Sequence, residues 1–426
     1  MRLLRLIFIL SVSQYAYAID FRGQASAETR YFFEPSPYEK SNYRVNNSAS
    51  LVTDVFSASS DYTDLFRFVS YFRVDQHDSN RTSIDVRELS WIHVADNWET
   101  RVGVYKSFWG VTEGRHLVDI VNQTDLVAQP DGDEKLGQPM INLSIAGSSG
   151  ILDVFLLSGF RERTFPGPSG RPRLPLTVSD NAAYESGAKR ARLSGAIRYQ
   201  NYTEFGLEYA VSHFSGTSRD PLLIPEPLSA SEISEFSTTG ELRNAQDKEF
   251  IPFYSVIDQS GLELQQQIDA WLLKLEAISR SGQGDRYWAV DTGFEYIQGS
   301  AFGSNLDIGW LAEYLHEQRE TALASPFDND ILLGVRLTLN DAESTQALVA
   351  LMHDLETEEN VFTFEASRRL SSRFKVTVES QVFTNSMEPR TATEVYKASS
   401  DDNIENRGFS AVSRSDFVQA ELVYFF

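Results

Sequence analysis

The sequence predicts an all-β fold: a transmembrane antiparallel up-and-down β-barrel of 16 to 18 strands, with 18 as the preferred count. Three observations predict it. Segments of roughly ten residues alternate apolar and polar positions, amphipathic aromatic residues lie near the segment ends, and the chain stops at a phenylalanine. The outer wall of such a barrel contacts lipid and the inner wall contacts water, so a mean hydropathy near zero is expected. The observed mean hydropathy is −0.30.

The alternation is clearest in residues 331–340. The odd-numbered positions there are Ile, Leu or Val, whereas Arg336 and Thr338 lie on the opposite face of the same strand. A soluble β-sandwich also alternates, but it buries its apolar face between two sheets. Aromatic placement favours the membrane, because interfaces between lipid and water attract amphipathic rings. The rings near strand ends are Trp271, Trp288, Tyr296 and Tyr314.

The N-terminus predicts export. Residues 1–18 contain Arg2 and Arg5, then an apolar stretch, then Ala-Tyr-Ala, which is the pattern of a secretory signal peptide. We expect residues 1–18 to be removed and residues 19–426 to form one barrel domain in the bacterial outer membrane. Removal of two arginines takes the formal net charge from −22 to −24. No later segment has the roughly 18 apolar residues that a membrane-spanning helix needs.

Composition argues against several classes of function. An excess of 60 acidic over 38 basic residues argues against nucleic acid as a partner. The absence of cysteine excludes disulfides and thiolate metal sites. The six histidines are scattered without a nucleophile motif beside them, so we expect no enzyme activity, no bound metal and no cofactor. His213 precedes Ser215 by two residues. On a strand this spacing is more typical of two polar side chains at the membrane interface than of a catalytic pair.

Connections between the segments alternate between short turns and longer polar loops. Eight turns and nine loops separate 18 strands, and both termini fall on the side of the short turns. The predicted loops are 35–43, 75–81, 110–135, 161–188, 216–250, 282–286, 317–329, 356–360 and 385–415. A barrel of 16 to 18 strands is wide enough to hold an aqueous channel.

Charges of both signs fall on the inward face of the predicted strands. The pore-lining candidates are Arg67, Arg73, Arg87, Arg101, Lys274, Glu295, Glu313 and Arg336. Two interpretations stay open: the charges solvate a water-filled wall and pair with one another, or opposed basic and acidic walls produce a transverse field. The first four arginines fall on predicted strands 3 to 5, about 5 Å apart in the sheet, and would repel one another. We therefore expect acidic partners from an inward loop.

Loop 110–135 is the predicted constriction, because it combines an apolar stretch at 117–121 with acidic flanks. The constriction-loop candidates are Glu113, Asp119, Asp125, Asp131 and Asp133.

Two further loops could cover the barrel. Loop 161–188 contains four prolines and predicts a stiff cap without regular strand. In loop 216–250 the sequence predicts a short helix that runs to Phe236, with Ser229 or Ser231 as its N-cap.

The last segment resembles the terminal strand of bacterial outer-membrane barrels. Its outward residues are Val418, Ala420, Leu422, Tyr424 and Phe426. In those proteins a C-terminal phenylalanine and the alternating positions before it are read by the barrel-assembly machinery. The resemblance implies that this machinery is a partner of the chain through Phe426.

A second resemblance covers residues 87–125. It rests on four pieces: Arg87-Glu88-Leu89-Ser90-Trp91, Arg101-Val102-Gly103, Phe108-Trp109-Gly110-Val111-Thr112-Glu113 and Asp119-Ile120-Val121-Asn122-Gln123-Thr124-Asp125. This series is similar to a segment shared by a group of poorly characterised proteobacterial outer-membrane barrel proteins that are regarded as porin-like channels. The resemblance implies a channel or transport role without a defined solute.

These observations predict an outer-membrane channel that lets small solutes pass passively. The negative net charge predicts a mild preference for cations. Outer-membrane lipid, lipopolysaccharide and small solutes are the other expected contacts, and the pattern does not choose an oligomeric state. Two alternatives stay open: a plugged barrel that transports hydrophobic solutes, and a non-transporting structural or assembly partner of an export system.

Overall fold

Eighteen antiparallel strands close into a barrel in a computed structural model, which describes residues 18–129, 132–319, 327–399 and 408–426. The strands are β1 (Ala18–Phe32), β2 (Val45–Ala58), β3 (Asp64–Asp75), β4 (Ser83–Val94), β5 (Trp98–Tyr105), β6 (Gln138–Gly147), β7 (Gly150–Leu157), β8 (Ser194–Tyr202), β9 (Leu207–Thr217), β10 (Val256–Ile268), β11 (Trp271–Ser281), β12 (Tyr287–Gln298), β13 (Asp307–Glu317), β14 (Asn329–Thr338), β15 (Gln346–Asp354), β16 (Asn360–Arg369), β17 (Phe374–Thr384) and β18 (Phe417–Phe425). Each strand pairs with its neighbours in the chain, and β1 pairs with β18, so the sheet has no open edge.

The predicted count of 18 strands is confirmed, and so is the order of the connections. Eight turns join the strands at one end of the barrel, which we call the turn end, and nine loops join them at the other, the loop end. Four loops are long: 106–137, 158–193, 218–255 and 385–416. Residues 1–17, which hold all of the predicted signal peptide except Ala18, lie outside the described residues.

The outer surface of the barrel is apolar. On β3, Phe66, Phe68 and Phe72 point outward and are 46 %, 37 % and 45 % exposed, whereas Tyr71 and Arg73 point inward and are buried. A continuous exposed apolar surface of this kind is expected where lipid replaces water as the solvent. The chain is therefore a transmembrane barrel. In the part of the chain that the structure describes, no helix is long and apolar enough to cross a membrane.

Exposed aromatic rings mark both ends of the apolar surface, as membrane interfaces require. At the turn end they are Phe21, Trp98, Trp271, Phe374 and Phe426. At the loop end they are Tyr31, Trp288 and Tyr314.

Loops 158–193, 218–255 and 385–416 build a small cap. Glu249–Tyr254 pairs with Thr177–Val178, Ala183–Tyr184 and Leu222–Pro225. The expectation that loop 161–188 forms no regular strand is therefore wrong at two places. Both short strands follow Pro175, the last proline of the loop, so their backbone N–H groups are free to pair.

Two helices belong to the cap. Helix α1 (Ala230–Thr239) begins after Ser229, whose side chain accepts a hydrogen bond from the backbone N–H of Glu232, so the predicted helix is confirmed. Helix α2 (Ala392–Ala398) buries Val395 and Tyr396 in a cluster with apolar residues of loops 158–193 and 218–255.

The chain ends close the barrel at the turn end. The backbone N–H of Gly23 donates to Phe426 O at 2.9 Å, and the N–H of Phe426 donates to Gly23 O at 3.0 Å. The Phe426 ring lies so close to Gly23 that a Cβ there would stand 2.3 Å from it. The ring centroid of Phe426 lies 6.1 Å from that of Phe21 and 6.0 Å from that of Tyr424.

We expect Phe426→Ala to lower the temperature at which the folded barrel unfolds, because the ring that covers the seam between β1 and β18 is lost. The shift in gel mobility between folded and heat-denatured protein measures this temperature. Phe205→Ala is the matched control, since it removes a ring that is 87 % exposed in a turn. An unchanged unfolding temperature in Phe426→Ala would contradict the role of the ring at the seam.

Candidate functional site

The inward loop, residues 106–137, crosses the lumen of the barrel. It leaves β5, and its residues 111–115 contact β11, β12 and β13. Those strands lie six to eight places along from β5 in a ring of 18, so the loop reaches almost the opposite wall. The loop therefore divides the lumen at the level where it crosses.

A buried carboxylate of β11 holds the first part of this loop. Glu276 Oε1 accepts hydrogen bonds from the backbone N–H groups of Val111 at 2.6 Å and Thr112 at 3.0 Å. Its other oxygen accepts from the N–H of Val118 at 3.2 Å. Glu276 is fully buried, and hydrogen bonds from several donors are what a buried carboxylate requires.

Two more buried carboxylates continue this contact on the neighbouring strands. Glu313 of β13 accepts from the N–H groups of Glu113 at 2.9 Å and Gly114 at 2.6 Å. Asp291 of β12 accepts from the N–H of Arg115 at 3.1 Å. Successive N–H groups of residues 111–115 thus form a concave donor surface that suits anions, and the barrel wall fills it. We call Glu276, Asp291 and Glu313 the carboxylate cradle.

Apolar packing fixes the loop to the wall between β6 and β12. The buried loop residues are Trp109, Leu117, Val118, Ile120 and Val121. They share one cluster with inward residues of the barrel: Met140, Phe155, Leu157, Ala196, Phe214, Ile257, Ile278 and Ala289. The inner wall of the barrel is therefore apolar on this side, and the predicted stretch 117–121 is its partner.

The last part of the inward loop is attached to the opposite side, at β3 and β4. Asp125 accepts from Arg87 at 2.6 Å, and Arg81 donates to the backbone carbonyl of Val127 at 3.0 Å. Burial would raise the pKa of Asp125, but Arg87 and a hydrogen bond from Thr164 outweigh it and keep the pKa below its usual value. The loop is thus held at both walls.

The other constriction-loop candidates lie in several environments. Glu113 forms an ion pair with Arg336 at 2.9 Å, and Asp119 forms one with Lys135 at 3.3 Å. Burial raises the pKa of Asp119 and the charge of Lys135 only partly offsets this. Asp133 lines a cavity beside the loop. Asp131 lies outside the described residues.

All eight pore-lining candidates lie on the inner face, and ion pairs join most of them to other strands. Arg67 pairs with Asp54 at 2.9 Å and Arg73 with Glu28 at 3.1 Å. Arg101 pairs with Glu88. Of the four arginines on β3 to β5, only Arg87 forms an ion pair with a described residue of the inward loop, Asp125, because strands of the same wall already carry acids beside the others.

The remaining candidates surround the carboxylate cradle. Lys274 lies 3.9 Å from Glu295, which also approaches Arg336 at 3.6 Å. Glu313 belongs to the cradle itself. Two of these candidates contact the inward loop directly: Arg336 pairs with Glu113, and Glu313 accepts from the N–H of Gly114.

Sequence reasoning missed a second buried cluster near the loop end of β1. Glu28 is 3 % exposed and lies 3.1 Å from Arg73, 2.8 Å from Arg81 and 3.9 Å from Arg30. Glu28 and Arg30 are two residues apart on β1 and therefore share one face, with Ala27 and Tyr31 on the other, which was the available signal for an inward position. Nothing in the local sequence indicated that Arg81, in a loop, would join them.

An irregularity in the sheet explains why two consecutive residues of β4 point inward. The register between β3 and β4 shifts between Val69 and Ser70, where β4 holds one extra residue. Arg87 and Glu88 are both buried as a result. Strict alternation would have turned one of these two side chains toward lipid.

Histidine contacts are local. His213 Nδ1 lies 3.0 Å from Ser260 Oγ across β9 and β10, with His213 exposed on the outer face. Within the described ranges, no group of three or more His, Asp or Glu side chains is placed to hold a metal ion.

Cavities lie on both sides of the inward loop. One of about 540 Å³ lies toward the loop end and contacts Arg115, Arg280 and Phe409. Another of about 510 Å³ lies toward the turn end, between Val111 and Tyr202. A third of about 350 Å³ separates the arginine-bearing wall of β3 and β4 from loop residues such as Glu134.

These features define a class: a transmembrane β-barrel whose lumen is narrowed by an inward loop. No family model and no curated protein sequence matches the chain. The resemblance of residues 87–125 to a group of outer-membrane proteins therefore has no support from these comparisons. The strand pairing of the chain itself carries the assignment to this class.

Solved structures with a similar fold are bacterial outer-membrane proteins. OccK3 (OpdO) of Pseudomonas aeruginosa is 9 % identical, with a TM-score of 0.48 and coverage of 96 % of this chain and 95 % of that one. OprB of Pseudomonas putida is 10 % identical, with a TM-score of 0.44 and coverage of 96 % and 94 %. OmpT of Vibrio cholerae is 8 % identical, with a TM-score of 0.44 and coverage of 96 % and 100 %.

We expect Gly110→Val to release the inward loop from the carboxylate cradle. Gly110 has a φ of +135°, which strains other residues, and a Cβ there would lie 2.8 Å from Glu276 Oε1. Faster cleavage by trypsin inside the loop, in the folded barrel, would report the release. The matched control is Gly187→Val, since a Cβ at Gly187 meets no atom within 4 Å. Equal cleavage in both variants would contradict this role of Gly110.

Proposed function

We propose that the chain is an outer-membrane channel through which small solutes pass passively, with the inward loop as its constriction. The observation that carries the proposal is the loop itself: it crosses the lumen, is fixed to both walls, and leaves cavities on either side. A barrel of this size without such a loop would leave a wide aqueous pore. A fixed loop reduces that pore to a selective one.

In this proposal the eight pore-lining candidates set the electrostatics of the pathway. Their ion pairs favour the interpretation that opposite charges solvate the wall and neutralise one another. The mild preference for cations follows from the net charge of the chain and stays a prediction.

The proposed surroundings are outer-membrane lipid and lipopolysaccharide, which the exposed apolar surface would contact. Recognition by the barrel-assembly machinery through Phe426 is part of the same proposal. It is supported by the position of Phe426 at the end of the closing strand.

Reconstitution in a planar lipid bilayer tests the channel. We expect discrete current steps, and a reversal potential in a potassium chloride gradient that indicates a weak preference for potassium. A reversal potential that indicates preference for chloride would overturn the predicted cation preference while leaving the channel intact. Absence of current at any voltage would overturn the channel.

A plugged barrel that transports hydrophobic solutes is the second candidate. The observation in its favour is the apolar core that the inward loop shares with the wall between β6 and β12. This candidate requires a closed lumen and therefore no current in the same experiment. A structural partner of an export system would also carry no current, and it would not transfer a fluorescent fatty acid between vesicles as a transporter does.

A further inference from the structure

The cavity above the inward loop has a charge balance opposite to that of the whole chain. Its described lining contains six basic and four acidic residues, whereas the chain has 38 basic and 60 acidic residues. Two of the acids are already paired with basic side chains, Glu113 with Arg336 and Asp119 with Lys135. Five arginines and two acids, Asp133 and Asp220, then remain in the described lining, so the arginines outnumber these acids.

Five guanidinium groups surround two carboxylates at this site. Arg163 and Arg280 both contact Asp220, the latter at 3.1 Å. Arg115 contacts Glu317 at 2.8 Å, and Arg319 contacts the other oxygen of the same carboxylate. Each carboxylate is thus shared by two arginines.

The fifth guanidinium, that of Arg219, has no carboxylate within 4.0 Å among the described residues. It donates to the backbone carbonyls of Val121 at 2.7 Å and Thr217 at 3.1 Å and lies against the rings of Phe160 and Phe214. Arg219 is 4 % exposed, and burial lowers its pKa to about 10. A buried positive charge that contacts only carbonyl dipoles and ring faces, with no carboxylate in direct contact, favours a nearby anion.

Another part of the lining of the same cavity is apolar and aromatic. The ring centroid of Phe409 lies 5.3 Å from that of Phe327 and 5.8 Å from that of Phe383. Val412 packs beside these rings. All four residues line the cavity. A ligand there would meet both guanidinium groups and phenylalanine rings.

We propose that this cavity binds an amphipathic organic anion, with its carboxylate at Arg115, Arg163 and Arg219 and its apolar body against Phe383 and Phe409. The inference rests on the proposed channel function and names the class of solute that would pass. The volume of about 540 Å³ is sufficient for a monocarboxylate with one aromatic ring. The arginines would concentrate such an anion above the constriction even though the chain as a whole is acidic.

Calorimetry on the full chain, folded in an uncharged detergent, tests the site without requiring ion conduction. The probe is 4-phenylbutyrate, compared with its uncharged amide and with acetate, which lacks the apolar body. We expect the phenylbutyrate to bind at least tenfold more tightly than either. Equal binding of the amide would overturn the role of the arginines, and equal binding of acetate would overturn the role of the phenylalanines.

Variants connect the binding to the residues. We expect Arg115→Gln combined with Arg163→Gln to weaken phenylbutyrate binding at least tenfold, and Phe409→Ser to weaken phenylbutyrate but not acetate. Arg190→Gln is the matched control, because that arginine lies in the loop of Arg163 but is 62 % exposed and pairs with Glu162. Gel mobility before and after heating shows that each variant is folded. No binding by the folded wild type would overturn the site, whereas binding without bilayer current would overturn only the channel.

Discussion

Replacement of residues 110–135 by a short glycine–serine linker is expected to raise single-channel conductance several-fold. The loop crosses almost the full width of the lumen, so its removal widens the narrowest part of the pathway. The barrel itself should still close, because Tyr105 and Gln138 are paired neighbours on β5 and β6 and a tight connection can join the two strands. Single-channel recording in a planar bilayer measures the change.

The same replacement should also weaken the preference for cations, because residues 110–135 carry six acidic and two basic side chains, a net charge of −4. Glu276, Asp291 and Glu313 now accept hydrogen bonds from the loop backbone and are buried. Without the loop these carboxylates face water in the lumen, but their exposure offsets only part of the four negative charges that the replacement removes. A shift of the reversal potential away from that of potassium is the second readout.

Removal of a different loop segment is the control for this experiment. Residues 227–247, which include α1, can be shortened in the same way because Pro225 and Phe250 are paired on adjacent strands. This variant should change conductance far less, since α1 belongs to the cap and contacts neither the cradle nor β3. Equal conductance of the wild type and of the variant without 110–135 would show that the inward loop is no constriction.

The second large effect is expected from Glu28→Gln, which should destabilise the barrel by about 3–5 kcal/mol, the cost of removing one partner from a buried ion pair. Glu28 is the carboxylate that Arg73 and Arg81 share, and all three side chains are buried. The neutral amide would leave the buried Arg73 without its carboxylate partner, and Arg81 with Asp75 alone at 2.9 Å. Unfolding in urea, followed by gel mobility, measures the loss.

Glu421→Gln is the matched control. Glu421 lies directly opposite Glu28 where β18 pairs with β1, and it forms no ion pair among the described residues. We expect it to change the stability little. Arg81→Met combined with Glu28→Met should lose less than the sum of the single changes, since both partners of one pair are then removed together. Equal stability of Glu28→Gln and Glu421→Gln would show that the cluster around Glu28 does not stabilise the barrel.

The pattern of strands was predictable because each strand shows its alternation of apolar and polar residues within its own segment of the chain. A strand turns successive side chains to opposite faces, so residues such as Leu333 and Arg336 reveal their faces within one segment. Local alternation does not account for two features: the extra residue near Arg87 turns two neighbours to the same side, and strands after Pro175 pair within a loop that was expected to form none. Both exceptions depend on partners elsewhere in the chain.

The chain sequence by itself determined the class of fold, the number of strands and which side chains face lipid, because each follows from alternation over about ten residues. Only the tertiary structure decided how the lumen is filled. The contacts between Thr112 and Glu276 and between Gly114 and Glu313 join positions more than 160 residues apart, and backbone N–H groups donate in both. Every residue except proline carries a backbone N–H donor, so the residue types in the loop do not predict these contacts. Closure of the barrel brings the cradle and the arginines of the cavity toward the loop end into reach of the inward loop.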